Sequence, residues 1–362
     1  MKYGLLENPT EGNTLYEVVH DSGEFGSVLN DYTVSGLDGD TDEEYIVFFR
    51  GRNDVAAPAN FYIILNSTTV ANSHHRQYMR GDGANSTAAR PAAGSVVIIG
   101  RGEVQYDLMW SRIHIFAKSG RQRTGEVNFA NTISGTIVDR IQSTAFLWSN
   151  STDNLTSLKF TSGDPNALGI GTRIVVLKRT TLVSGTKTGI IETPAKIRGA
   201  WELVYENILS APSAGIIGAT VDAGDPIYMI DTYVISTTGS TNVVLLRFTG
   251  SGSTNHGFQR LEGVSTAEVA SANTAWNWIY MGRGTGVGYV TWNRTYAYVG
   301  SGYSKTTIGE YSAQVSATNV REWGIVGGVL NDTSANTAIT VQTGQTNGAA
   351  AGSWGRVWRL NL

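Results

Sequence analysis

The densest run of potential chemistry in the chain is Asp38-Gly39-Asp40-Thr41-Asp42-Glu43-Glu44, five acids in seven residues. Alternate aspartates around a glycine are how hard oxygen ligands begin to gather about calcium. A complete calcium loop also needs a bidentate Glu near its twelfth position, and here an apolar run starts at Tyr45 instead. Asp38, Asp40 and Asp42 are therefore candidate Ca2+ ligands. The competing reading is an acidic turn before a strand, its carboxylates accepting backbone N–H groups. No other cofactor is expected.

A second candidate is a pair of aromatic-basic couples, Trp110 with Arg112 and Trp292 with Arg294. Residues two apart on a strand share a face, so indole and guanidinium would stack as a platform for a sugar ring. Alternatively each Trp anchors a core and each Arg closes its rim; solvent exposure of Trp110 and Trp292 separates the two. His74 and His256 lack any His-x-His or Glu-x-x-His spacing and read as hydrogen-bonded structural groups at strand ends. The glycine run Gly282 to Gly288 looks superficially like a phosphate loop. Strand-like Tyr289-Val290-Thr291-Trp292 follows it rather than a helix, so a tight turn or bulge is expected. The acids outside residues 38–44 are scattered, few fall on corresponding positions in both copies and no triad emerges, so the chain is not expected to be an enzyme.

The elements that must position these residues are set by a duplication. Residues 60–154 overlie 242–336 without a gap at a constant shift of 182. Asn60 falls on Asn242, His74 on His256, Gln77 on Gln259, Trp110 on Trp292, Arg112 on Arg294 and Asn154 on Asn336. Gly100-Arg101-Gly102 falls on Gly282-Arg283-Gly284, and Ser119-Gly120 on Ser301-Gly302. One domain has been copied, and the repeat governs the fold.

Composition agrees with an all-β chain. Of 362 residues 41% are apolar and 16% charged, with 43 Gly and 7 Pro; an ordinary globular chain has about 25% charged residues. Short apolar runs such as Tyr45–Phe49, Phe61–Leu65 and Ile174–Leu177 alternate with Gly, Asn, Asp and Ser clusters. Seven or eight strands per copy predict two tandem, duplicated β-sandwich domains, jelly-roll-like. The expected division is an N-terminal arm (1–13), a first sandwich (14–179), a Thr/Gly/Lys-rich linker (180–198) and a second sandwich (199–362).

The chain has no cysteine, which excludes disulfides, thiolate metal sites and thiol nucleophiles. Its net charge of −3 offers no global field for nucleic acid or anionic lipid. No signal peptide and no membrane span of about 18 apolar residues is expected.

Three stretches of the first copy, Gly36–Tyr45, Ala117–Arg123 and Leu147–Leu158, together with the ending Gly169–Ile174, resemble segments of virion-associated β-sandwich structural proteins of tailed bacteriophages. The likeness spans roughly residues 35 to 179. In the second copy it is eroded, with Gly300 in place of Lys118 and Leu330 in place of Trp148. The resemblance implies a place on the virion and carries over no catalytic residues. The expected function is that of a structural protein on the particle exterior, a capsid decoration protein or a head or tail fibre component. Such a protein, made in the host cytoplasm, would assemble as a homo-oligomer with other virion proteins. The alternative is a receptor- or carbohydrate-binding adhesion module of a phage tail, with a host-surface glycan as partner.

Overall fold

Runs rich in β-branched and aromatic residues become strands because a pleated surface packs them well, while Gly, Asn and Asp absorb the turns. The computed structural model describes residues 16–362, except 69, 71–72, 84, 134–136, 180–200, 223–226, 239–240, 250–255, 265–266, 277, 286, 301–303, 315–320, 331–337 and 361. The arm expected at 1–13 and the linker expected at 180–198 lie outside the described residues, as do Ser301, Gly302 and Asn336.

The first copy comprises β1 (Tyr16–Asp21), β2 (Asp31–Ser35), a one-turn helix α1 (Gly39–Asp42), β3 (Glu44–Arg52), β4 (Ala59–Leu65), β5 (His74–Asp82) and β6 (Asn85–Ala89). It continues with β7 (Val97–Gly102), β8 (Leu108–Phe116), β9 (Arg123–Ile133), β10 (Ile137–Trp148), β11 (Ser157–Ser162) and β12 (Arg173–Arg179). A large sheet has the order β1-β12-β3-β8-β9-β10-β5-β6, and a small one β2-β11-β4-β7. If the hairpins β5-β6 and β9-β10 are set aside, eight framework strands remain, ordered first-eighth-third-sixth and second-seventh-fourth-fifth. That is a jelly roll. The two extra hairpins extend one sheet only, which corrects the expected seven or eight strands to twelve.

The second copy repeats the plan with β13 (Trp201–Ile208), β14 (Gly215–Thr220), β15 (Ile227–Ile235), β16 (Thr241–Thr249), β17 (His256–Val264) and β18 (Ala267–Trp276). Then come β19 (Ile279–Thr285), β20 (Val290–Tyr298), β21 (Lys305–Gln314), β22 (Arg321–Leu330), β23 (Ala338–Thr343) and β24 (Trp354–Leu360). Its sheets, β13-β24-β15-β20-β21-β22-β17-β18 and β14-β23-β16-β19, match the first copy strand for strand. His74 and His256 open β5 and β17, and Trp110 and Trp292 are the third residues of β8 and β20.

Each sandwich has its own core between large and small sheet. Phe49, Phe61, Ile113, Trp148 and Phe160 fill the first, and Ile230, Leu246, Phe248, Tyr311 and Val341 the second. A third buried cluster joins the copies: Ile46, Phe48, Trp110, Ile141, Val175 and Leu177 from one, Ile227, Tyr296, Tyr298, Ile308, Ile325 and Leu360 from the other. The two large sheets therefore pack face to face, giving four layers from small sheet to small sheet. Strand β3 explains itself on this basis. Its odd residues Tyr45, Val47 and Phe49 point into the sandwich, and its even residues Ile46 and Phe48 into the seam between copies. Like faces like across the seam, β9 against β21, β10 against β22, β5 against β17 and β6 against β18. The seam is nevertheless not symmetric: β10 also packs on β17, and Trp110 lies inside the buried cluster while its counterpart Trp292 does not.

Candidate functional site

The acidic turn does not gather its carboxylates around a common point. Asp38 N-caps α1, accepting from Thr41 N and from Thr41 Oγ1 at 2.8 Å, while Asn154 Nδ2 donates to its Oδ1 at 2.8 Å. Asp40 accepts from Ser119 N at 2.7 Å, and Asp42 from the Tyr45 hydroxyl at 2.6 Å. The hydrogen bonds from Thr41 and Ser119 hold Asp38 and Asp40 below the usual carboxylate range. Among the described residues no group of three His, Asp or Glu is placed to hold a metal. The arrangement answers to a capped turn that ties β8–β9 and the 150–154 loop to the start of β3, rather than to the Ca2+ site considered from the sequence.

His74 is buried, bonded through Nδ1 to Ser73 Oγ at 2.9 Å, and its ring lies nearly parallel to Trp148 at 6.4 Å. Burial, with the neighbouring His75 adding to it, lowers its pKa to about 4. It is a neutral packing group under ordinary conditions.

The expected platform divides into two unlike halves. Trp110 is 1% exposed, stacks on Phe48 at 5.8 Å and packs against Tyr298 of the second copy, so it is no sugar platform. Neither does it sit in the sandwich core: it anchors the seam. Arg112 does not cover Trp110; its guanidinium lies over Tyr296 and pairs with Glu310 at 3.6 Å, both across the seam. Nearby Arg50 is buried, donating to Glu24 and to the Tyr298 hydroxyl at 3.0 Å, and Tyr298 donates to Glu24 at 2.6 Å. Burial pushes the Tyr298 phenol up to about 12, against the pull of Arg50. These groups lock the two copies together.

Trp292, by contrast, stays half-buried on the outward face of β20. The strand register sets it in a row across the sheet, Ile208–Trp354–Tyr233–Trp292–Ser312–Trp323. Tyr233 and Trp354 rings lie 6.0 Å apart and 15° from parallel. Beside this row, one step nearer the seam, runs a second one of alternating charge: Glu206–Arg356–Asp231–Arg294–Glu310. Arg294 grips Asp231 with two bonds of 2.7 and 3.1 Å, and Arg356 donates to Glu206 at 2.6 Å. The same guanidinium carbons lie 5.5 Å from the Trp292 ring centre and 4.7 Å from that of Trp354. Burial would lower the Arg294 pKa, but Asp231 and Tyr296 hold it high.

Sequence reasoning found Trp292 and Arg294 and missed Tyr233, Trp354, Arg356 and Trp323. No local spacing links residues on four different strands; the register alone brings them together. It also missed a clamp at the other end of the seam. Glu44 accepts from the Tyr16 hydroxyl at 2.5 Å and from His114 Nε2 at 2.6 Å, fastening β1 and β8 to β3. Burial would raise the Glu44 pKa, but the bonds from His114 and Tyr16 keep it low. The expected turn or bulge at Gly282 is found as a register shift between Val244 and Leu245 opposite it.

No protein-family model and no curated protein sequence matches the chain. Among solved structures it is similar to domains LG4-5 of the mouse laminin alpha1 chain, at 11% identity and a TM-score of 0.18, covering 95% of this chain and 90% of that one. The LG1-3 region of the laminin alpha2 chain gives 11% identity and 0.20, over 91% of this chain and 64% of that one. A structure of infectious bursal disease virus, Gx strain, gives 8% identity and 0.13, over 96% and 82%. Scores this low carry no argument about function.

Proposed function

We propose that this chain is a structural protein on the exterior of a tailed-phage virion, a capsid decoration protein or a head or tail fibre component. The observation that carries this reading is the seam. Two jelly rolls spend the outward faces of their large sheets on each other, producing a four-layer slab held by an apolar cluster and by Arg50, Tyr298 and Glu24. Among the described residues the polar clusters are consumed in holding strands together, which suits a building block more than a catalyst. The resemblance of residues 35–179 to virion sandwich proteins supports the same reading. Its partners are other virion proteins, met through symmetric contacts of many copies.

The test is direct: purified particles are probed with an antibody to this chain by immunoelectron microscopy, with copy number from quantitative mass spectrometry. Labelling of the particle surface at a stoichiometry matching head or tail symmetry is expected. Absence from purified particles contradicts the proposal. A second reading, an adhesion module, is favoured by one observation, the outward row at Trp292.

A further inference from the structure

We infer that the outward face of the second domain carries a binding site for a neutral polysaccharide, laid along the row Trp354–Tyr233–Trp292–Ser312–Trp323. The inference deepens the adhesion reading above. In the first domain the corresponding row, Arg173–Arg50–Trp110–Ala130–Ile141, is closed off by the seam, with Arg50, Trp110, Ala130 and Ile141 all buried. In the second domain that row lies outside the seam cluster, half-buried along its length and exposed at Trp323, and it is there that aromatic residues accumulate. Trp323 is 45% and Ile208 60% exposed, an arrangement that costs solubility and gives nothing to either sandwich core or to the seam.

The geometry selects the ligand. Strands lie about 4.8 Å apart, so the row from Ile208 to Trp323 runs for about 24 Å, enough for several sugar rings. Ser312 separates Trp292 from Trp323, so the two indoles rise from strands about 10 Å apart with only a small hydroxyl side chain between them. That spacing admits a single saturated ring over Ser312 in contact with the flanking indoles. The adjoining charged row supplies donors and acceptors in fixed planes. Arg294 is paired with Asp231 and Arg356 with Glu206, so the strip bonds hydroxyl groups without favouring either sign of charge. That neutrality argues against nucleic acid and against acidic glycans, which need unpaired cations. An extended peptide docks by adding to a sheet edge, and this is a sheet face whose backbone groups are already paired.

The test uses the full chain and three soluble probes: a neutral linear glucan, a neutral galactomannan and a polyuronate. Affinity electrophoresis and quenching of tryptophan fluorescence read binding. Retardation by at least one neutral polymer is expected, with Trp323→Ala and Tyr233→Ala each weakening it about tenfold, the effect of losing one aromatic contact. Tyr106→Ala, an equally exposed aromatic in the first domain (54% exposed), should leave binding unchanged. Unchanged circular dichroism and melting of Trp323→Ala would show that any loss is local. Binding to the polyuronate alone, no binding to any probe, or loss of self-association in Trp323→Ala without a change in sugar binding each overturns the site. Failure here leaves the immunoelectron microscopy result standing, and the reverse, so the two readings fail separately.

Discussion

At the scale of single residues, chemistry-bearing types are used here mainly as fasteners. Asp38, Asp40 and Asp42 show how misleading local spacing is: alternate aspartates suggest converging ligands, yet each turns to a different donor, Thr41, Ser119 and Tyr45. Chelation should accordingly leave the melting temperature unchanged, because only a ligand that binds the folded state raises it. A fall of several degrees in EDTA, reversed by calcium, would contradict the capping assignment. His74 makes the opposite kind of statement. Its pKa is lowered from 6.5 to about 4 by burial, so the folded chain holds it neutral. Its contribution to stability is complete above the unfolded value near 6.5 and is lost as pH falls toward 4, to a limit of about 3 kcal/mol. His74→Phe should therefore unfold less steeply with acid than the parent between those values; parallel curves in denaturant titrations would refute this.

At the scale of elements, alternation was legible and its meaning only partly so. β23, with every second residue buried, reads as a strand with one wet face. Tyr45-Ile46-Val47-Phe48-Phe49 and Ile174-Val175-Val176-Leu177 are apolar at every position, the mark of burial on both faces. That signal was present in the sequence, but sequence reasoning took the runs only for strands, and nothing local says which second surface they meet. The hairpins β5-β6 and β9-β10 were under-counted because β6, Asn-Ser-Thr-Ala-Ala, has no apolar periodicity to announce it. The two large sheets come close at Gly327 on β22, where a Cβ would lie 2.5 Å from Ala130 Cβ. Gly327→Ala should cost about 1–3 kcal/mol by overpacking, and adding Ala130→Gly should return much of it, since neighbouring sites are not additive. Equal denaturation midpoints for parent and Gly327→Ala would place the sheets further apart than described.

At the scale of the molecule, duplication was readable from one constant shift, because insertions are few where strands and turns must keep their register. What the shift could not reveal is that the copies dock through the repeated Trp strand itself, leaving Trp110 enclosed and Trp292 at an open ledge. Identical residue types thus acquired unlike environments, which is why the platform expected at both positions is closed off at Trp110 and is a proposal at Trp292 alone. The face-to-face docking of the large sheets underlies every functional inference above, and the absence of native cysteine makes it open to a clean measurement. With cysteines placed at Ala130 and Gly327, whose Cβ positions would start 2.5 Å apart, so that the two sheets need yield only about 1 Å to reach the ~3.8 Å separation of a disulfide, oxidation of dilute protein should yield one intramolecular bridge. Peptide mapping would find it joining β9 to β22. Two free thiols after oxidation, or bridges formed only between separate chains, would contradict the four-layer arrangement.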